Sequence, residues 1–193
     1  MSDGRPSPGQ FTAALHQWQA DGPPPGGPAW LEIYAQLKRL VGSARRLDDR
    51  SCELATTALA HETMLRLSPR ASLRWRNREH FFRVAARTVR RLLIDLARQR
   101  KAIKRGGGQA PGVLTAGVPA PALDADQVLD LDQALRQLAV HDRRCARVVE
   151  LRYFGGLGDA EVAAVLGVSK RTVEEDWRYA RTWLKRELGR AHQ

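Results

Sequence analysis

Only two cysteines, Cys52 and Cys145, occur in 193 residues, and neither belongs to a paired motif. Two thiols so far apart read as reduced structural residues, not as a disulfide framework or a zinc site. The five histidines show no ligand spacing with either cysteine, so no metal and no cofactor are expected. No apolar run approaches the roughly 20 residues that a membrane span needs. The polar stretch Met1 to Gln10 has no apolar signal segment, so a cytoplasmic protein without membrane contact is expected. Strand-period alternation is missing too, as is any repeat of fixed period. What remains is an all-α fold.

Acidic residues are scarce in one half only. Residues 1–105 hold 20 Lys and Arg against 9 Asp and Glu, whereas residues 106–193 hold 12 of each. The whole net charge of +11 therefore lies in the first half. A basic surface of this kind implies a polyanionic partner, nucleic acid or an acidic membrane face.

The uncharged stretch GGGQAPGVLTAGVPAP, from Gly106 to Pro121, has no helical period and reads as a flexible linker. It divides the chain into two small helical domains, 1–105 and 124–193, with 106–123 between them. In the first, Phe11, Leu15 and Trp18 share one face of a short helix. The run DGPPPGGP from Asp21 breaks that helix. A second helix starts at about Pro28, and Trp30, Ile33, Tyr34, Leu37 and Val41 form its apolar stripe. A third runs from about Cys52 to Leu67, with Leu54, Ala58, Leu59 and Leu65 expected inward and Pro69 ending it. A long helix from about Arg78 to Arg105 closes the domain. The second domain opens with a helix from about Asp126 carrying Val128, Leu131, Leu135 and Leu138, and another follows from about Asp142 to Phe154.

The long helix separates its residues sharply. Advancing about 100° per residue from Arg83, the residues Phe81, Ala85, Val89, Leu92, Leu93 and Leu96 fall at about 160–280°. Arg83, Arg87, Arg90, Arg91 and Arg98 fall on the opposite side, and Lys101, Lys104 and Arg105 extend the charge. Asp95 is the one acid between Arg83 and Arg105. A solvated face normally mixes both signs, so this one reads as a phosphate-binding surface. Trp75, just before the helix among Arg74, Arg76 and Arg78, is the candidate for stacking on unpaired bases. Phe81 or Phe82 belongs in the core.

The segment GDAEVAAVLGVSKRTVEEDWRYARTWL, from Gly158 to Leu184, carries a helix-turn-helix pattern. Val162, Ala163 and Leu166 are the apolar positions of a first helix. Gly167 ends it, Val168 plugs the turn and Ser169 caps a second helix. That second helix buries Val173, Trp177, Ala180 and Leu184. Its opposite face carries Ser169, Lys170, Arg171, Thr172, Glu174, Glu175 and Arg178, where a recognition helix meets the major groove. Glu174 and Glu175 cannot meet phosphate favourably. A Glu in such a position accepts from cytosine or pairs along the helix with Arg171 and Arg178.

Four blocks resemble bacterial extracytoplasmic-function sigma factors: TALAHETMLRL from Thr57, WRNREHFFRVAARTVRRLLIDLARQRKAIKRGGG from Trp75, VVELRYFGGL from Val148 and VSKRTVEEDWRYARTWLKREL from Val168. The resemblance implies that residues 1–105 bind the clamp helices of the largest subunit of core RNA polymerase and melt the minus-ten promoter element. It implies that residues 124–193 read the minus-thirty-five element beside the polymerase flap. One departure points to a subgroup without the acidic polymerase-binding motif. Family members carry a run resembling Asp-Ala-Glu-Asp-Leu where this chain has Ala55, Thr56, Thr57, Ala58 and Leu59. Thr56, Thr57, His61 and Glu62 are thus the candidate polymerase-binding residues. Thr57, or else Thr56, is the candidate target of a Ser/Thr kinase, because a phosphate would restore the missing acidity.

Other classes fit less well. A helix-turn-helix regulator independent of polymerase normally carries its basic excess on the reading domain, which here is neutral. His61–Glu62 lacks a second histidine one turn on, so a metal-dependent enzyme is not indicated. The apolar side of the long helix is required for a core, which argues against a membrane-surface helix.

Overall fold

A computed structural model describes residues 8–21, 27–44, 53–67, 74–104 and 125–191, and among them every regular element is helical. The expected linker 106–123, Cys52, the break at residues 22–26, Pro69 and Arg105 lie outside the described residues. The helices are α1 (Pro8–Asp21), α2 (Pro28–Ala44), α3 (Glu53–Leu67), α4 (Arg78–Lys104), α5 (Ala125–His141), α6 (Arg143–Val149), α7 (Asp159–Leu166) and α8 (Lys170–Ala191). A π-helical turn, Glu150–Phe154, continues directly from α6.

The apolar stripes of α1, α2 and α4 converge as their periodicity predicts. Phe11, Leu15, Trp18, Ile33, Leu37, Val41, Phe81, Ala85, Val89 and Leu92 are all buried. Phe11 packs edge-on to Phe81 at 5.2 Å between ring centroids and stacks on Phe82 at 5.7 Å. The third helix departs from expectation. Leu65 is 57% exposed, and Leu59, Ala60, Thr63, Met64 and Leu67 are buried instead. Apolar and small residues surround α3 on all sides, so periodicity alone does not single out its inner face. Thr63 turns inward without an orphaned hydroxyl, because its Oγ1 donates to the Leu59 carbonyl at 2.7 Å.

In the second half, α5 packs on α6 and α8, and α7 packs on α8. Asp142 caps α6 by accepting from the backbone N–H groups of Arg144 and Cys145 at 2.8 and 3.0 Å. The Cys145 N–H, opposed by partial burial, holds the Asp142 carboxyl below its usual range. Burial, with the nearby Asp142 and Asp176, pushes the Cys145 thiol up to about 12, so it remains protonated and behaves as a small apolar residue.

The two halves are in contact. The long helix α4 lies against α5, the π-helical turn and α7, and the π-helical turn also touches α2. Buried residues from both halves form one continuous core.

The π-helical turn closes through Gly155, whose N–H donates to the Glu150 carbonyl at 3.1 Å. A Cβ at Gly155 would lie 2.3 Å from the Leu151 carbonyl oxygen, which is backbone and cannot yield. Gly155→Ala should therefore lower the urea midpoint of unfolding, followed by circular dichroism. Gly189 in α8 faces open space, so Gly189→Ala should raise stability by about 0.4–1 kcal/mol in the same measurement.

Candidate nucleic-acid interface

The turn between α7 and α8 is built by Gly167 and Ser169. Gly167 adopts φ 68° and ψ 36°, in the left-handed region. The Val168 N–H reaches the Ala163 carbonyl at 3.1 Å, and the Gly167 N–H reaches that of Ala164 at 3.4 Å. This pair of bonds is a Schellman motif, which stops α7 and redirects the chain. Ser169 Oγ then accepts from the Thr172 N–H at 3.0 Å and lies 2.8 Å from Thr172 Oγ1. It thereby caps α8.

Polar contacts centred on the buried Asp176 and on Trp177 hold α8 in place. Arg144 donates through Nε and Nη2 to both oxygens of Asp176, at 2.7 and 3.0 Å. The Arg152 guanidinium lies 4.3 Å over the Trp177 ring and also pairs with Asp159. Val173, Ala180 and Leu184 enter the core, while Trp177 is half-buried. On the opposite side Lys170, Arg171, Glu174, Glu175 and Arg178 are exposed, and Thr172 is half-buried. Both acids pair along the helix, Glu174 with Lys170 at 3.6 Å and Glu175 with Arg171 at 3.0 Å. Tyr179, exposed beside Arg178, extends this surface by one residue that the sequence did not single out.

The arginine face of α4 is divided between solvent and protein. Arg91 and Arg98 are exposed and Arg83 is half-buried; none of the three forms an ion pair among the described residues. Arg90 is engaged on every side. Its Nε and Nη2 donate to Asp132 Oδ1 at 3.0 and 2.7 Å, and Nη2 also reaches the Asp132 carbonyl at 3.2 Å. Its Nη1 donates to Glu150 Oε1 at 3.2 Å. Arg87 lies 3.6 Å from the other Glu150 oxygen. Arg78 donates to Glu161 at 2.8 Å, and Lys101 pairs with Asp126. The backbone of Lys104 ends the helix.

Trp75, expected to offer a face to unpaired bases, is instead 3% exposed. It stacks on Trp18 at 6.0 Å and meets Phe81 edge-on at 5.3 Å. Its backbone N–H donates to Gln19 Oε1 at 3.1 Å. In this arrangement the ring is enclosed by packing. Nearby His80 is held below the usual imidazole range, first by burial and then by Arg83 and Arg76.

Around α3, Thr56 and Thr57 are half-buried close to the helix start, and Tyr34 Oη donates to the Thr57 carbonyl at 3.4 Å. His61 is exposed. Glu62 accepts from Arg66 at 2.9 Å, and Arg66 also reaches Asp95 at 3.3 Å.

Asp132, Glu150 and Asp176 were not anticipated. A signal existed for two of them. Asp132 falls between Leu131 and Leu135 on the apolar stripe of α5, and Asp176 follows Val173 by three on that of α8. An acid inside an apolar stripe needs a cationic partner.

Among the described residues no helix is long and apolar enough to cross a membrane. Neither the search of curated proteins nor that of solved structures returned a match. The family model for ECF sigma factors matches residues 9–190, nearly the full chain. Members of this family are transcription initiation factors, not enzymes, and their role entails RNA polymerase and promoter DNA as partners. The all-helical architecture agrees with that match, and the chain belongs to the ECF sigma factor family.

Proposed function

We propose that the chain acts as an alternative sigma factor in which the α1–α4 half engages core polymerase and opens the minus-ten element, while α7 and α8 form a helix-turn-helix that reads the minus-thirty-five element. The observation that carries the reading is the surface at the start of α8. A Schellman turn and a Ser169 cap lead into a helix whose buried side is pinned by Arg144 and whose exposed side offers Lys170, Arg171, Glu174 and Arg178. A recognition helix needs this combination of a rigid rear and a polar, solvent-facing front. Lys170 and Arg171 pair along α8 with Glu174 and Glu175, and each can trade its glutamate for a base edge or a phosphate.

On α4, Arg83, Arg91 and Arg98 are the arginines available to backbone phosphates, with Arg87 and Arg90 joining them when their carboxylate partners are displaced. Lys101 prolongs the same side, and the sequence continues the positive charge with Lys104 and Arg105. The neutral second half lacks the charge excess for strong duplex binding alone, so promoter specificity should appear only in the polymerase complex.

We further propose that a Ser/Thr kinase switches the factor on at Thr57, or else at Thr56. Both side chains are half-exposed in the early turns of α3, where the positive end of the helix dipole favours an anion. A phosphate adds about −1.5 to −2 charge and three acceptor oxygens, replacing the acids that the polymerase-binding stretch lacks.

In vitro transcription with core polymerase and a promoter library tests the first reading. Replacing Lys170, Arg171 and Glu174 together should change which upstream element is selected, at about 1–3 kcal/mol per lost base contact, and leave use of a pre-opened bubble intact. An unchanged preference would remove α8 from the reading role. For the switch, Thr57→Glu should tighten binding to core polymerase in a pull-down titration. Full activity of Thr57→Ala in cells, or tight binding by unmodified protein, would refute it.

A further inference from the structure

The second half covers part of the face of α4 proposed to bind nucleic acid, leaving Arg91 and Arg98 exposed. Its acids are spread along the helix. Glu161 meets Arg78 near the N-terminus, Glu150 meets Arg87 and Arg90, Asp132 meets Arg90, and Asp126 meets Lys101 near the C-terminus. At about 1.5 Å rise per residue, the stretch from Arg78 to Lys101 is about 35 Å long. Four carboxylates over that length each sit on a basic side chain, far sparser than the phosphates of a strand, but on the side chains that phosphates would need.

The centre of the array is its most enclosed part. The side chains of Arg90, Asp132 and Glu150 are 16%, 8% and 12% exposed. One Glu150 carboxylate bridges two arginines a helical turn apart, as a phosphate with its several oxygens can. The π-helical turn that begins at Glu150 lies against α4 and carries Phe154, whose ring sits 6.0 Å from the Arg90 guanidinium. On the arginine side of α4 the buried apolar residues are Ala86, Ile94 and Ala97. The larger aromatic side chains at the start of α4 contact α1 and Trp75 instead. Meanwhile the exposed side of α8 takes no part in this contact, so the closure covers one proposed DNA surface and leaves the other open.

We propose that this arrangement is an autoinhibited form, in which Asp132 and Glu150 stand in for nucleic-acid phosphates on Arg87 and Arg90 and keep the two halves closed. It rests on the proposed role of α4 in nucleic-acid binding. Arg90 already spends Nε, Nη1 and Nη2 on protein acceptors, and its side chain is 16% exposed. A phosphate therefore reaches Arg90 only as α5 and the π-helical turn leave it, whereas Arg91 and Arg98 are exposed in the closed form. The free factor therefore binds DNA through α4 with reduced apparent affinity, and displacement of the acids, by DNA or by polymerase holding the halves apart, restores it.

The test uses the full chain and a fluorescent DNA with a pre-opened bubble, at fixed salt. The Asp132→Asn, Glu150→Gln double variant should show a larger radius of gyration by X-ray scattering. It should also bind the probe at least about tenfold tighter, since apparent affinity falls with the fraction of competent molecules. A folded double variant with unchanged radius and unchanged affinity would overturn the proposal. Should that variant fail to fold, the unaltered chain decides, because saturating it with the probe must increase the protein radius. A closed radius in the saturated complex, resolved by contrast-matched neutron scattering, would equally overturn it. Arg91→Ala, Arg98→Ala separates this idea from the reading beneath it. If that pair weakens probe binding while neutralising the acids does not tighten it, only the autoinhibition falls. If the pair binds as the unaltered chain does in both backgrounds, α4 is not the nucleic-acid face and the proposal falls with it.

Discussion

Arg90 is held between Asp132 of α5 and Glu150 of the π-helical turn, and the relation of the two halves depends on that contact. Its guanidinium makes two bonds to one carboxylate oxygen, one to a backbone carbonyl and one to a second carboxylate. All three side chains are largely withdrawn from water. Removing one partner from such a pair costs about 3–5 kcal/mol, because an uncompensated charge stays behind. Arg136 adds a fourth charge, 2.8 Å from the other Asp132 oxygen. The grouping is directional in a way that apolar packing is not. It specifies which turn of α4 meets which turn of α5, and so sets where α7 and α8 begin.

A second polar contact does the equivalent for α8. Asp176 sits in the core and is held by Arg144, while Arg152 covers Trp177 and pairs with Asp159 at the start of α7. The rotation of α8 about its own axis is thereby fixed from two sides. Its outward residues follow as a consequence, and with them the chemistry available to a major groove. Glu161 links the two systems. One carboxylate oxygen accepts from the Gly158 N–H at the start of α7, and the other accepts from Arg78 of α4.

Much of this was legible in the residues. The i, i+3, i+4 stripes of α1, α2, α4 and α5 named much of the core, Phe11, Leu15, Trp18, Ile33, Leu37, Val41, Val89, Leu92, Leu135 and Leu138, while Trp30, Tyr34, Val128 and Leu131 on the same stripes are half-buried. Gly167 and Ser169 announced the turn between α7 and α8, since a left-handed stop and an oxygen cap are local requirements. The third helix misled because its Ala, Thr and Leu residues surround the axis, so the pattern points Leu65 inward, whereas Met64 and Leu67 hold that place. Trp75 misled because it precedes its helix, where no periodicity constrains it, and only the neighbouring Trp18 shows that its ring is packed.

The sequence by itself determined the helical class, the apolar stripes and the caps, which depend on residues within a few positions of one another, and the asymmetry of charge, which is a matter of composition. It also placed Arg83, Arg87, Arg90, Arg91 and Arg98 on one side of a single helix. Only the tertiary structure decided which of those arginines are satisfied by protein and which face solvent. Arg90 meets acids 42 and 60 residues away, and Ile94, at about 20° on the same wheel, is buried although it lies among the arginines. Periodicity reports what a helix presents to its surroundings. What comes to lie against it depends on segments distant in the chain, and an ion pair between two helices leaves no period in either.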